Sequence, residues 1–127
     1  MSMTAQQLAA VADLGYLLIR AGELGDARTL WEGVAGVAGH LEAPWRALAV
    51  IALREQRYDD CIGAANIAAQ RQASSPAPLV LRAEALRCQG RYADADRDLT
   101  AALALPPRTP ADQLVLARAR AMAGRIR

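Results

Sequence analysis

Residues 79–105 read LVLRAEALRCQGRYADADRDLTAALAL, the pattern of two short helices joined by a turn at residues 89–91. The landmarks of this segment recur along the chain at a constant step of 34 residues. The recurring sets are Gly22, Gln56, Gly90 and Gly124; Gly15, Ala49, Ala83 and Ala117; Leu24, Tyr58, Tyr92 and Ile126; and Ala27, Cys61 and Ala95. A helix–turn–helix unit repeated at this step, with small residues at constant places, predicts a row of stacked helix pairs.

The composition favours helices throughout the chain. Hydrophobic residues make up 54% of the sequence, but 30 of the 127 residues are alanine and phenylalanine is absent. Methyl side chains let neighbouring helices approach closely, whereas strands are usually built from runs of β-branched and aromatic residues. We therefore predict an all-α protein, organised as one domain over residues 1–127.

Within that domain we expect three helix pairs and a final helix that closes the open end of the stack. The pairs are predicted at about residues 8–41, 42–75 and 76–109, and the closing helix at about 110–124. Thr4 and Gln7 have the spacing of a capping box, Ser75 is predicted to cap the helix that begins near Pro76, and Thr109 is predicted to cap the last helix.

Charge and cysteine content exclude several classes of partner. The formal net charge is only +2, with fifteen arginines and no lysine, and this is too small to predict binding to nucleic acid. No apolar run approaches the ~20 residues of a membrane span, and the N-terminus lacks a basic signal region. The two cysteines, Cys61 and Cys88, lie at helical positions and suggest no disulfide framework. We therefore predict a cytoplasmic protein without membrane insertion.

No group of residues predicts catalysis, a cofactor or a metal. Asp94, Asp96 and Asp98 alternate like calcium ligands, but the required glycine and glutamate are missing further along. On a helix, residues two apart point about 200° apart, so we expect surface carboxylates. His40 is the only histidine, which leaves no partner for a zinc site or a catalytic set. We therefore predict that the chain is not an enzyme.

The helix pairs resemble the tetratricopeptide repeat (TPR), whose consensus places large and small residues at constant positions of each unit. The matching first-helix residues are Val11, Trp45 and Leu79; Gly15, Ala49 and Ala83; and Leu18, Ala52 and Leu86. The matching second-helix residues are Ala27, Cys61 and Ala95; Trp31, Ala65 and Leu99; and Val34, Ala68 and Ala102. The resemblance covers about residues 8–125. It implies a right-handed superhelix of three helix-turn-helix repeats plus a C-terminal capping helix.

Among such proteins, the chain resembles the small TPR export chaperones of bacterial type III secretion systems, in particular the chaperone of the small secreted partner protein. Residues 15–27, GYLLIRAGELGDA, have the layout of the start of that family's first repeat. The resemblance implies a cytoplasmic protein that holds one short, aggregation-prone cargo until the export gate takes it. A heterodimer with a small secreted protein, or with its amphipathic helix, is the expected complex, and a homodimer is the alternative.

Repeat stacking places the first helices along the concave face, where we expect the partner to bind. The predicted partner-binding residues are Tyr16, Ile19, Arg20, Arg46, Val50, Leu53, Arg54, Val80, Glu84, Arg87, Leu114 and Arg118. An apolar floor with an arginine rim suits an amphipathic helix or an extended peptide with aliphatic and acidic residues. Two alternatives remain open at this point. The arginines and apolar residues serve only solvation and packing, or the same surface belongs to a scaffold that holds a stable assembly without releasing cargo.

Overall fold

The computed structural model describes residues 2–125, and within this range the regular structure consists of seven α-helices and no strand. In chain order they are α1 (Ala5–Arg20), α2 (Leu24–Ala38), α3 (Glu42–Arg54), α4 (Tyr58–Arg71), α5 (Ala77–Cys88), α6 (Tyr92–Leu103) and α7 (Pro110–Arg125). The predicted all-α fold is confirmed. Ile126, the last member of one repeating set, lies outside the described residues.

The helices pack as three successive pairs, and α7 covers the last pair by packing against α5 and α6. The buried residues fall into three clusters along this stack. The first contains Ala27, Trp31, Val34, Ala38, Ala47 and Ile51; the second Ala49, Ala52, Cys61, Ala65 and Ala85; and the third Val80, Ala83, Leu86, Ala95, Leu99, Ala102, Ala119 and Met122. Each cluster takes residues from more than one repeat, so each pair depends on its neighbour for burial.

The turn within each pair has the same backbone conformation, which explains the most regular set in the sequence. Gly22, Gln56 and Gly90 all adopt a left-handed conformation, with φ of 81°, 61° and 77°. At each turn the next amide donates to the carbonyl five residues earlier, and the joined residues are Glu23 and Leu18, Arg57 and Ala52, and Arg91 and Leu86, at 2.9, 2.8 and 2.9 Å. This hydrogen bond defines the Schellman motif that ends a helix.

Gln56 is the one non-glycine with a positive φ among the described residues. A side chain in the left-handed region costs roughly 1–2 kcal/mol, part of which glycine loses again through its greater unfolded-state freedom. We therefore expect Gln56→Gly to raise the free energy of unfolding by roughly 0.5–1 kcal/mol. Chemical denaturation measures this change. The matched reverse substitution, Gly90→Gln, should lower it by a similar amount, and equal stabilities for all three chains would contradict this explanation of the turn.

The first repeat is closed by an aromatic side chain that lies directly on a glycine. Trp31 of α2 is completely buried, and its ring lies 5.1 Å from the ring of Tyr16, centroid to centroid. A methyl group on Gly15 of α1 would lie 2.5 Å from the Trp31 Nε1 atom. The small residue at this place in each unit is thus required by the contact between the two helices of a pair.

Two of the three predicted caps are present and one is wrong. Thr4 and Gln7 form the reciprocal capping box at the start of α1, and the Thr109 hydroxyl accepts from the Asp112 amide at 3.1 Å. Ser75 does not cap α5, because its hydroxyl donates instead to the Glu42 carboxylate at 3.1 Å. Both Ser75 and Glu42 are 8% exposed, so the buried carboxylate takes the nearest donor.

The expectation of a surface carboxylate is also wrong at Asp98. This residue is buried and accepts two hydrogen bonds from Arg82 of α5, at 2.7 and 2.6 Å. Arg82 donates a third hydrogen bond to Asn66 of α4 at 2.7 Å, so one guanidinium joins three helices. The hydrogen bond to Asp98 raises the pKa of Arg82, which keeps the guanidinium charged at this partly buried place.

Candidate partner-binding groove

The first helices of successive units form a row, in which α3 contacts α5 and α5 contacts α7. The inward face of this row, made by α1, α3, α5 and α7, is called the groove below. One repeating position runs the length of the groove and is occupied by Tyr16, Val50, Glu84 and Arg118, each 34 residues after the last. Three cavities lie along it and share lining residues.

The N-terminal cavity, of about 190 Å³, lies between α1 and α3. It is lined by Tyr16, Ile19, Arg20, Arg46, Ala47 and Val50. The aromatic ring and the three aliphatic side chains make its surface largely apolar. The two arginines place charge at its edge, which is the arrangement expected of a site for an amphipathic ligand.

The middle cavity, of about 210 Å³, continues from the first because both are lined by Arg46 and Val50. Its lining residues are Arg46, Val50, Ala77, Val80, Leu81, Glu84, Val115 and Arg118, drawn from α3, α5 and α7. The Arg46 guanidinium lies 3.6 Å from the Glu42 carboxylate on its own helix, so its charge is already paired.

The C-terminal cavity, of about 470 Å³, is the largest of the three. Its lining residues are Glu84, Arg87, Cys88, Tyr92, Arg118, Ala121 and Met122. It shares Glu84 and Arg118 with the middle cavity, so the three cavities form one continuous row from α1 to α7.

Nine of the twelve predicted residues line these three cavities, and Leu53, Arg54 and Leu114 do not. Leu53 is half-buried against the second core cluster. The Arg54 guanidinium donates to the carbonyl of Ile19 near the end of α1, where helix carbonyls lack partners within the helix. Arg54 therefore joins α1 to α3 and does not point its charge at a ligand.

Leu114 of α7 is 74% exposed. The equivalent residue one repeat earlier, Val80, is only 3% exposed because it packs in the cluster that α7 completes. In the described part of the chain no helix follows α7 to cover Leu114 in the same way. Equivalent sequence positions thus differ in exposure at the end of the stack.

Several lining residues are not among those predicted from the sequence. Three of them, Ala47, Leu81 and Val115, are separated by 34 residues and form a further repeating position of the groove. This spacing was a usable signal, since each residue follows Arg46, Val80 or Leu114 directly. The others are Ala77, Cys88, Tyr92, Ala121 and Met122.

Glu84 is the one carboxylate among the lining residues of the three cavities. Its side chain is 15% exposed and accepts a hydrogen bond from Arg118 Nη2 at 2.8 Å. Burial raises the pKa of Glu84, and the charges of Arg118 and Arg87 oppose this rise. The net upward direction means that the two arginines do not fully offset the loss of water around the carboxylate.

The two cysteines differ in environment. Cys61 is completely buried, and its thiol lies 3.7 Å from the carbonyl of Leu81. Burial raises the pKa of Cys61 to about 12, so this thiol stays protonated and fills the place of a small core residue. Cys88 is exposed and lines the C-terminal cavity.

Among residues 2–125, no three histidine, cysteine or acidic side chains come together as metal ligands would. In the same range, every helix is too short or too polar to cross a bilayer.

No protein-family model matches this chain, and no curated protein sequence matches it. Solved structures do. PcrH of Pseudomonas aeruginosa, in complex with the chaperone binding region of PopD, is 20% identical, with 98% of this chain and 93% of PcrH covered and a TM-score of 0.87. The type III secretion translocator chaperone SycD of Yersinia enterocolitica is 20% identical, with coverage of 97% and 93% and a TM-score of 0.88. SycD in complex with a peptide of the translocator YopD gives 20%, 97%, 94% and 0.86. Nearly the whole of each chain is covered, and at this identity the likeness concerns the fold. The chain has the TPR-like fold of the type III secretion translocator chaperones.

Proposed function

We propose that this chain is a non-catalytic, cytoplasmic chaperone of a type III secretion system, which buries an amphipathic segment of a small secreted partner in the groove. The observation that carries the proposal is the continuous row of three cavities along α1, α3, α5 and α7. Helix-in-groove and extended-peptide recognition both need an apolar surface with a few charges at its edge. The groove has both.

The class of partner is supported by what the structurally similar proteins hold. PcrH was crystallised with the chaperone binding regions of PopD and of PopB, and SycD with a peptide of the translocator YopD. Each of these chaperones thus binds a segment of another protein, and this chain matches them over nearly its full length. We therefore propose a segment of a secreted translocator-like protein as the cargo.

Burial of apolar side chains would provide most of the binding energy. Each aliphatic side chain that leaves water for an apolar cavity contributes about 1.5–3 kcal/mol before the cost of ordering the segment. Ile19 and Val50 are partly exposed in the groove and would be covered in the complex. A segment held in this way cannot pair with other copies of itself, which keeps the partner soluble until export.

Val50 lies between two of the cavities, and Val50→Asp is expected to abolish partner binding. An unpaired charge in an apolar contact costs several kcal/mol, so affinity should fall by roughly 100-fold or more. The test isolates tagged wild-type and variant chains from the native host and quantifies the secreted protein recovered with each. Leu114→Asp is the matched control, because Leu114 is 74% exposed and lies outside the three cavities.

Circular dichroism must show the same helicity for both variants. If Val50→Asp retains the partner as well as Leu114→Asp does, the groove is not the binding surface. Recovery of several large cytoplasmic proteins, in place of one small secreted protein, would favour the scaffold alternative.

A further inference from the structure

The groove changes in character along its length. At the repeating position that runs through it, the residues toward the N-terminus are Tyr16 and Val50, and those toward the C-terminus are Glu84 and Arg118. The same position is therefore apolar in the first two units and charged in the third unit and α7. A ligand that matches this surface must itself be polar at one end.

The charge of the groove is predominantly positive. Its lining includes four arginines, Arg20, Arg46, Arg87 and Arg118, and the single carboxylate of Glu84. This is a formal excess of three positive charges, although the whole chain carries only +2. A negatively charged group is the complementary ligand.

Two of these arginines converge on the C-terminal cavity from different helices. Arg118 of α7 is 64% exposed, and the described residues engage one of its five N–H donors, in the bond to Glu84. Arg87 of α5 makes one long hydrogen bond, 3.5 Å from its Nη1 to the carbonyl of Met122. Both guanidinium groups therefore retain donors for a carboxylate, which arginine binds through two parallel hydrogen bonds.

The arginines at the other end of the groove are placed differently. Arg46 is paired with Glu42, whose side chain is only 7% exposed. Arg20 is in the last turn of α1, where a cation interacts favourably with the helix dipole. Glu84 holds Arg118 over the C-terminal cavity and so acts as a positioning residue.

We infer that the partner segment lies in the groove in one direction, with its apolar residues toward α1 and α3 and an aspartate or glutamate in the cavity lined by Arg87 and Arg118. This inference rests on the proposed function and adds the polarity and charge of the bound segment. Arg87 and Arg118 are its specificity-determining residues. A basic residue at the same end of the segment is rejected because it would meet two guanidinium groups.

Display selection tests the inference with random 12-residue peptides as the probe. The peptide library is selected against the wild-type chain, against the double variant Arg87→Glu, Arg118→Glu, and against Val50→Asp. The control double variant is Arg91→Glu, Arg97→Glu, which changes the net charge equally at exposed places outside the groove. Thermal melts establish that each variant is folded, and Arg87→Gln, Arg118→Gln replaces the charge-reversed chain if that one is not.

The wild-type and control chains should select peptides with aliphatic residues at one end and aspartate or glutamate at the other. In the groove double variant, the ratio of acidic to basic residues at that end should fall by roughly tenfold or more. An unchanged acidic preference, a basic preference in the wild type, or acidic residues at both ends would overturn the inference.

The Val50→Asp selection separates this inference from the proposed function. If Val50→Asp loses the peptides while the arginine variants keep the wild-type preference, the groove binds peptides and only the charge assignment fails. If the wild type selects no peptides, or Val50→Asp selects them equally well, both proposals fail together.

Discussion

Replacement of Gly15 by alanine is expected to destabilise the chain by roughly 2–3 kcal/mol, although alanine is the better helix former. The added methyl group would lie 2.5, 2.6 and 2.8 Å from the Nε1, Cε2 and Cζ2 atoms of Trp31. The indole is rigid and completely buried, so it cannot move aside without displacing α2 from α1. For a chain of this length the melting temperature should fall by about 10 °C.

Gly33→Ala and Gly36→Ala are the matched controls, because a methyl group at either place meets nothing within 4 Å and both lie in α2. Each should raise stability by up to about 1 kcal/mol through helix propensity alone. Differential scanning calorimetry measures all three variants under the same conditions. A Gly15→Ala chain as stable as the wild type would show that the contact between Gly15 and Trp31 does not hold the first repeat together.

Replacement of Asp98 by alanine should cost about 2–3 kcal/mol, because it leaves the partly buried Arg82 guanidinium without its charged partner. The side chains of Arg82 and Asp98 are 28% and 11% exposed, and their two parallel hydrogen bonds are short. The loss should loosen the contact of α5 with α4 and α6, since Arg82 also binds Asn66 of α4.

Asp94→Ala on the same helix is the control. Asp94 pairs with Arg91 and Arg97, which are 54% and 76% exposed, and such surface pairs contribute less than about 1 kcal/mol. Urea denaturation of both variants gives the two free energies. If Asp98→Ala costs no more than Asp94→Ala, the network around Arg82 adds nothing beyond an ordinary surface ion pair.

The sequence was sufficient for the helices, the turns and most of the groove. A turn that needs a left-handed residue and a contact that needs a small residue impose local requirements, and these recur at Gly22, Gln56 and Gly90 and at Gly15. The 34-residue step then transfers one position to the next unit. The fold and nine of the twelve predicted groove residues follow from these local rules.

The sequence was not sufficient where a side chain selects a partner from another helix. Asp98 is bound by Arg82, sixteen residues earlier, and Arg54 binds a carbonyl of α1, thirty-five residues earlier. Neither pairing is encoded in spacing, because it depends on how far one helix slides along the next. Leu114 differs for another reason, since its exposure is set by the absence of a following helix in the described chain.

The central claim is that one small secreted protein occupies the groove, and native mass spectrometry of the wild-type chain isolated gently from its own host tests it most directly. The predicted spectrum contains one complex of fixed stoichiometry, formed by this 13.5 kDa chain and a single secreted protein. That complex should be missing from Val50→Asp and present in Leu114→Asp. A wild-type chain found alone, as a homo-oligomer, or with several large cytoplasmic proteins would contradict the account.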